Sequence, residues 1–251
     1  MRIRVGANAD GGAEMEIKAD ALVLRTADYG ESDKMVTLFT FQKGKISAAA
    51  KGVRKAASKL RFAAQPFCFA EYVLAQKGDR YTIIGAAGTD GFYALREDVC
   101  KFYAAAALVR VCDALLFDGI VNEELFLRAV RALGEMCEGD EAEALIRFLI
   151  KALELSGYML DIGVCSECGA ALCDRTYFDL SRGCFTCGNC AVGAGVSPST
   201  LEVLKKCSAQ PYEENRITQD GKKRALKLLR AYFRAKTDDR AEALSNYIDM
   251  L

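Results

Sequence analysis

The chain contains no histidine. That absence removes Ser-His-Asp and Cys-His nucleophile systems, zinc-protease motifs and all imidazole acid–base chemistry. Catalysis through Lys, Tyr or carboxylates stays open, so an enzyme is disfavoured without being excluded. No run of 18 uncharged apolar residues occurs, so no segment reads as a transmembrane helix. The first residues, MRIRVGANADGGAE, lack an apolar stretch and do not read as a signal peptide. Residues 1–14 read as a flexible extension, with Met15 as an alternative start. A cytoplasmic protein is expected.

What is present is globular material. The 251 residues are 51% hydrophobic and 27% charged, enough for two domains. Eleven cysteines in an intracellular chain argue against a disulfide scaffold and for metal ligation by part of the set. With histidine missing, any metal site must be built from thiolates and carboxylates.

The formal net charge of zero hides a segregation. Residues 15–90 carry 12 basic and 8 acidic side chains, residues 91–164 carry 7 and 13, and residues 200–251 carry 11 and 8. Two stretches hold no acid at all. From Lys34 to Ala70 the basic residues are Lys34, Lys43, Lys45, Lys51, Arg54, Lys55, Lys59 and Arg61. From Gly221 to Lys236 they are Lys222, Lys223, Arg224, Lys227, Arg230, Arg234 and Lys236. Each run fits either a solvated face or a phosphate-binding surface.

The hydrophobic period divides the chain near residue 90. Strand-like runs cover 17–25, 35–41, 45–53, 67–76 and 80–86, the last two joined by Lys77-Gly78-Asp79. Five short strands with a basic face suit a small closed β-barrel, either an OB-fold or an SH3-like barrel. Beyond Gly91 the period is helical. Helices are expected over 95–117, from an Asn122 cap to Met136, over 141–160, from Pro198 to Cys207, over 222–234 and over 240–251. No internal repeat is visible. The architecture is α+β, with a barrel over 15–90 and a helical domain over 91–251. On one strand Phe39 and Phe41 alternate, and the period of two favours burying them over stacking them on bases. Tyr29, in the preceding turn, is the better stacking candidate.

The sharpest signal lies between the helices, at about 163–193. Cys165-Ser-Glu-Cys168-Gly169 is followed, after 18 residues, by Cys187-Gly-Asn-Cys190. Each C-x2-C loop aims two thiolates at one ion, and two loops supply the four sulfurs that one structural Zn²⁺ accepts. A closed four-thiolate site has no open coordination position, so it would hold the loop together and not activate water. Cys173 and Cys184 lie in the same region, and Cys184 with Cys187 forms a second C-x2-C. Spacing alone leaves that register open, as it does an iron–sulfur cluster. Cys68, Cys100, Cys112, Cys137 and Cys207 sit in apolar stretches and read as small buried hydrophobes.

The order of parts resembles the RecO family. The run from Ala27 to Phe41, ADYGESDKMVTLFTF, carries the likeness, with Lys43-Gly-Lys45, Ala50-Lys-Gly-Val-Arg54-Lys55 and Gln65-Pro-Phe67. So does the ribbon, through Cys165, Cys168, Gly169, Tyr177-Phe178, Gly183, Cys187 and Cys190. This chain has Gly183-Cys184 where the family often has Gly-Gly, which favours Cys187 and Cys190 as the second ligand pair. Zinc ligation is not universal in that family. The resemblance implies an N-terminal OB-fold that binds single-stranded DNA and anneals complementary strands. It implies help in loading a RecA-type recombinase, with RecR and the acidic C-terminal tail of single-strand-binding protein (SSB) as partners.

On this reading Lys43, Lys45, Lys51, Arg54, Lys55, Lys59 and Arg61 contact DNA phosphates, and Arg230 and Arg234 meet the acidic tail. The rival reading is a zinc-ribbon RNA-binding factor of transcription or translation. A nuclease would need clustered carboxylates, and the acids near Glu138 to Glu143 have no metal-site spacing.

Overall fold

In the computed structural model of the protein, residues 4–6, 14–90, 92–209 and 217–251 are described. The chain forms two compact units. One takes the chain to Glu97 together with Leu115–Gly134, and the other takes Asp98–Ala114 and Glu135–Leu251.

The first unit contains strands β1 (Arg4–Gly6), β2 (Glu14–Tyr29), β3 (Asp33–Thr40), β4 (Gly44–Ala50), β5 (Phe69–Lys77) and β6 (Arg80–Asp90), then a short helix α1 (Ala94–Glu97). Part of the expected flexible N-terminal extension is instead ordered: Arg4–Gly6 pairs antiparallel with β2, which itself begins at Glu14, and residues 1–3 and 7–13 lie outside the described residues. β2 does the work of two strands. Its first half pairs antiparallel with β5, from Met15↔Gln76 to Leu22↔Phe69. Its second half pairs with β3, from Ala21↔Thr40 to Tyr29↔Asp33. A register shift between Val23 and Arg25 leaves Leu24 as the extra residue, and such a bulge adds the twist a closing sheet needs. β4 meets β6 in parallel at Ala48↔Tyr81 and Ala49↔Thr82, so the ring runs β2-β3-β4-β6-β5 and back to β2. This is the five-stranded Greek-key closure of an OB-like barrel.

The barrel interior mixes small and large side chains, as a narrow barrel requires: Ala21, Ala48 and Ala70 beside Val36, Leu38, Leu74 and Tyr72. Burial pushes the Tyr72 phenol well above its ordinary pKa, and its hydroxyl donates to Ala63 O at 2.7 Å. That bond fixes the 3₁₀ turn Phe62–Ala64. Alternation sends Phe39 to the outside of the barrel, where it is nevertheless fully buried.

Its cover comes from later in the chain. Helix α2 (Val99–Leu115) is followed by α3 (Glu123–Glu138), whose first residues belong to the barrel unit. Phe126 meets Phe39 edge-on at 5.2 Å between ring centroids, and also meets Phe41 at 5.6 Å and Phe69 at 6.1 Å. The segment before α3 closes one barrel end, with Gly119 N–H donating to Lys45 O at 2.9 Å. Gly44 has φ +66°, and a Cβ there would lie 2.0 Å from Ile120 O, so only glycine fits.

The second unit contains most of α2, then α4 (Glu141–Leu155), β7 (Thr176–Asp179), β8 (Cys184–Cys187), β9 (Ala194–Val196), α5 (Pro198–Ser208), α6 (Gln219–Lys236) and α7 (Glu242–Met250). The single helix expected over 95–117 is broken. Asp98 accepts from Lys101 N–H at 3.0 Å and so caps a new helix start. The expected helix to Leu160 stops at Leu155, because Gly157 takes φ +84° and Tyr158 N–H returns to Leu153 O at 2.8 Å. That is a Schellman end. Asn122, Asp140, Ser197 and Thr218 cap α3 to α6 through their side chains. Among the described residues no helix is long and apolar enough to cross a membrane.

Candidate metal centre and nucleic-acid interface

The second unit brings four cysteines to one point. Gly169, at φ +71°, turns the first loop back so that its N–H reaches Cys165 O at 2.9 Å. The second loop leaves β8 at Cys187, whose carbonyl accepts from Cys190 N–H at 3.1 Å and Ala191 N–H at 2.9 Å. A Cβ at Gly188 would lie 2.9 Å from Arg175 Cβ, which accounts for the glycine between Cys187 and Cys190. The sulfurs of Cys165, Cys168, Cys187 and Cys190 all lie within 4.8 Å of one another. Cys168 Sγ and Cys187 Sγ are 3.7 Å apart. A tetrahedral ion with metal–sulfur bonds of ~2.3 Å requires sulfur–sulfur edges of ~3.8 Å. The cluster could hold one such ion.

Electrostatics within the cluster point the same way. The Cys187 N–H, 3.3 Å from Cys165 Sγ, leads a set of backbone donors that pull the Cys165 thiol down to about 6. The N–H groups of Cys190 and Asn189 likewise lower Cys187. Contact with the Cys168 sulfur pushes Cys190 up to about 12. Cys168 is pulled down by the Ala170 N–H but raised overall, through its neighbours Cys165 and Cys187 and some burial. Backbone donors thus favour the thiolate form at Cys165 and Cys187, whereas the neighbouring sulfurs disfavour it at Cys168 and Cys190. A divalent cation supplies the charge that four thiolates need.

The alternative register is not the one assembled. Cys184 and Cys187 are three residues apart on a strand and so point to opposite faces. Cys184 Sγ instead accepts from Ser166 Oγ at 3.2 Å, and Cys173 is exposed. Behind the ribbon, Phe178 packs against Phe185 and Tyr232 at 4.8 and 5.6 Å. Gly183 is required there, since a Cβ would lie 2.0 Å from the Tyr232 hydroxyl oxygen.

The seven basic residues singled out in the first unit fall into two groups, one at each end of β4, about 20 Å apart along the strand. At one end, Lys43 is half-buried, and Lys45 is only 16% exposed with Asp118 Oδ1 3.8 Å from its Nζ. At the other end, Lys51, Arg54, Lys55, Lys59 and Arg61 are all exposed on the loop between β4 and the 3₁₀ turn. That loop lies on the β2–β3 turn. Arg54 N–H donates to Ser32 O at 3.0 Å, and the Arg54 guanidinium reaches Gly30 O and Asp28 Oδ2, both at 3.3 Å. Gly52 N–H donates to Asp33 Oδ1 at 2.7 Å. Tyr29, beside Asp28, is 61% exposed. The stretch 34–70 is acid-free in sequence, yet the fold delivers Asp28, Asp33 and Asp118 to it from outside. Sequence reasoning missed these three, because only long-range strand pairing brings them there.

On α6 the acid-free stretch is also partly neutralised. Lys222 is buried between Asp140 Oδ2 at 2.6 Å and Glu143 Oε1 at 2.8 Å, and Arg224 pairs with Asp220 at 2.8 Å. Arg230 is half-buried and donates to Ser245 Oγ at 3.2 Å, while Arg234 is exposed.

Comparison with known proteins accords with this layout. Residues 15–92 match the family described as Recombination protein O N terminal, and residues 96–242 match Recombination protein O C terminal. A protein of Pelotomaculum thermopropionicum named DNA repair protein RecO is 37% identical over 75% of this chain and 75% of its own length. Proteins of the same name from Desulforamulus reducens and Desulfitobacterium hafniense are 32% and 33% identical over 86% and 89% of this chain, covering 87% and 85% of their own lengths. With both halves matched in order, and relatives this similar along most of their length, the chain belongs to the recombination protein O family.

Proposed function

We propose that this chain is a non-catalytic mediator of DNA repair and recombination that binds single-stranded DNA through its OB-like barrel. It anneals complementary strands and helps load a RecA-type recombinase onto SSB-coated DNA in the cytoplasm. The observation that carries this reading is the exposed loop bearing Lys51, Arg54, Lys55, Lys59 and Arg61, laid on the β2–β3 turn beside exposed Tyr29. Family membership supplies the context. OB-folds bind single strands by combining a cationic groove with aromatic platforms. Lys43 and Lys45 extend the surface from the other end of β4, with a smaller share because Asp118 faces Lys45.

The four-thiolate centre suits Zn²⁺, held by Cys165, Cys168, Cys187 and Cys190, in a structural role. On α6, Arg230 and Arg234 are offered to the acidic tail of SSB, and RecR is the second protein partner.

The test is a titration of single-stranded DNA at several salt concentrations. Affinity should fall with a log–log slope of about −0.7 per phosphate contact. Arg54→Ala with Lys55→Ala should weaken all sequences alike and shallow the slope by roughly one to one and a half units. Strand annealing should slow in parallel. Unchanged affinity and slope would reject the loop as the DNA surface. A matched RNA bound more tightly than DNA would favour an RNA-binding factor.

A further inference from the structure

The basic loop is not fixed by its own residues alone. Within it, Lys55 N–H donates to Gly52 O at 3.1 Å, Ser58 N–H to Lys55 O at 3.0 Å, and the Arg61 guanidinium to Lys55 O at 3.0 Å. Two attachments tie this folded loop to the β2–β3 turn through backbone atoms: Arg54 N–H on Ser32 O, and Gly52 N–H on the Asp33 carboxylate. The second is the shorter, at 2.7 Å, and is charge-assisted. Gly52 has φ +63°, so its N–H is presented by a turn that an ordinary residue adopts only with strain. Asp33 also accepts from Ser32 Oγ at 3.1 Å.

We infer that Asp33 is a positioning residue for DNA: its carboxylate clamps the basic loop to the β2–β3 turn, so that Arg54 and Lys55 meet the strand together. This inference rests on the DNA reading above. The Gly52 N–H, then the Ser32 hydroxyl, hold the Asp33 carboxyl below the usual carboxylate range, so it is ionised at neutral pH. An anion beside a phosphate-binding loop is unfavourable for DNA on charge alone. The clamp must outweigh that cost, which gives the inference a sign that plain electrostatics does not share.

The experiment compares Asp33→Ala with Asp33→Asn in the full-length protein. The asparagine keeps an acceptor for Gly52 N–H and removes the charge, whereas alanine removes both. Limited trypsin digestion reports the loop directly, since it can cut at Lys51, Arg54 and Lys55. Asp33→Ala should be cut there several-fold faster, bind single-stranded DNA about three- to tenfold more weakly, and show a salt slope shallower by roughly 0.7 to 1.4. Asp33→Asn should stay resistant and bind as tightly as the parent or more tightly. In a protein already carrying Arg54→Ala and Lys55→Ala, Asp33→Ala should add nothing to the loss of DNA affinity.

Equal behaviour of the two Asp33 variants, or an unchanged rate of cutting in Asp33→Ala, would overturn the clamp. An unaltered salt slope in Arg54→Ala/Lys55→Ala alone would overturn the DNA reading and this inference with it. Melting temperatures of both Asp33 variants show whether a weakened protein is still folded, and a folded Asp33→Ala that keeps the parent affinity and slope also overturns the clamp.

Discussion

Replacing Cys187 by serine should remove the metal, and replacing Cys184 should not. The geometry sets the contrast. Cys187 Sγ stands 3.7 Å from Cys168 Sγ, the separation of two corners of a sulfur tetrahedron, and Cys187 N–H also steadies Cys165. Cys184 is outside the cluster and engaged with Ser166. Structural zinc binds zinc-finger peptides with an apparent free energy of ~10–16 kcal/mol at neutral pH. Shared over four thiolates, that corresponds to about two to three decades of affinity per ligand. Metal analysis after dialysis against a chelator should therefore find one zinc per chain in the parent and in Cys184→Ser, and close to none in Cys187→Ser. Affinity should also fall as pH falls, because Cys190 and Cys168, whose thiols are raised, must lose protons to ligate. Full zinc occupancy in Cys187→Ser, with loss in Cys184→Ser, would refute the assignment of ligands.

Phe126→Ala should cost roughly 3–5 kcal/mol, since it empties the contact with Phe39, Phe41 and Phe69, and urea unfolding followed by a probe in the barrel unit would measure it. Gly44→Ala should destabilise by at least about 2 kcal/mol, through its positive φ and the overlap with Ile120 O, with thermal melting as the check. Tyr29→Ala should weaken single-strand binding by an amount on the order of one stacked base, ~1–3 kcal/mol, while leaving the salt slope unchanged. Lys222→Met should cost about 3–5 kcal/mol, because Asp140 and Glu143 would face each other without a cation, and chemical denaturation would register the loss.

Local chemistry was legible in the sequence; long-range pairing was not. The paired C-x2-C loops pointed to a cluster of four cysteines, because a knuckle is built from residues a few positions apart. Spacing left Cys184 in contention for the second pair, and only the face alternation of β8 in the fold set it aside. The five barrel strands were readable from the period of two, whereas β1 and the ribbon strands β7, β8 and β9 were not, and helix ends were misplaced where a single residue decided them, as Asp98 and Gly157 did. Barrel closure was open between two folds, since it depends on β2 bending to serve β5 and β3, and on two parallel pairs between β4 and β6. The same blindness hid the charges. An acid-free stretch in sequence says nothing about Asp28 and Asp118, which arrive from a preceding strand and a later loop.

The barrel borrows part of its wall from residues 115–134, far downstream of its last strand. A ribosome that has released β6 has delivered every strand but not Phe126, so Phe39, Phe41 and Phe69 lack their cover until α3 emerges. Nor can a single cut excise either unit: cleavage near residue 92 strands three phenylalanines in water, and cleavage after 134 separates α2 from the helices it belongs with. A fragment ending at the last barrel strand should therefore aggregate, and a chain able to complete the barrel unit reaches to Gly134.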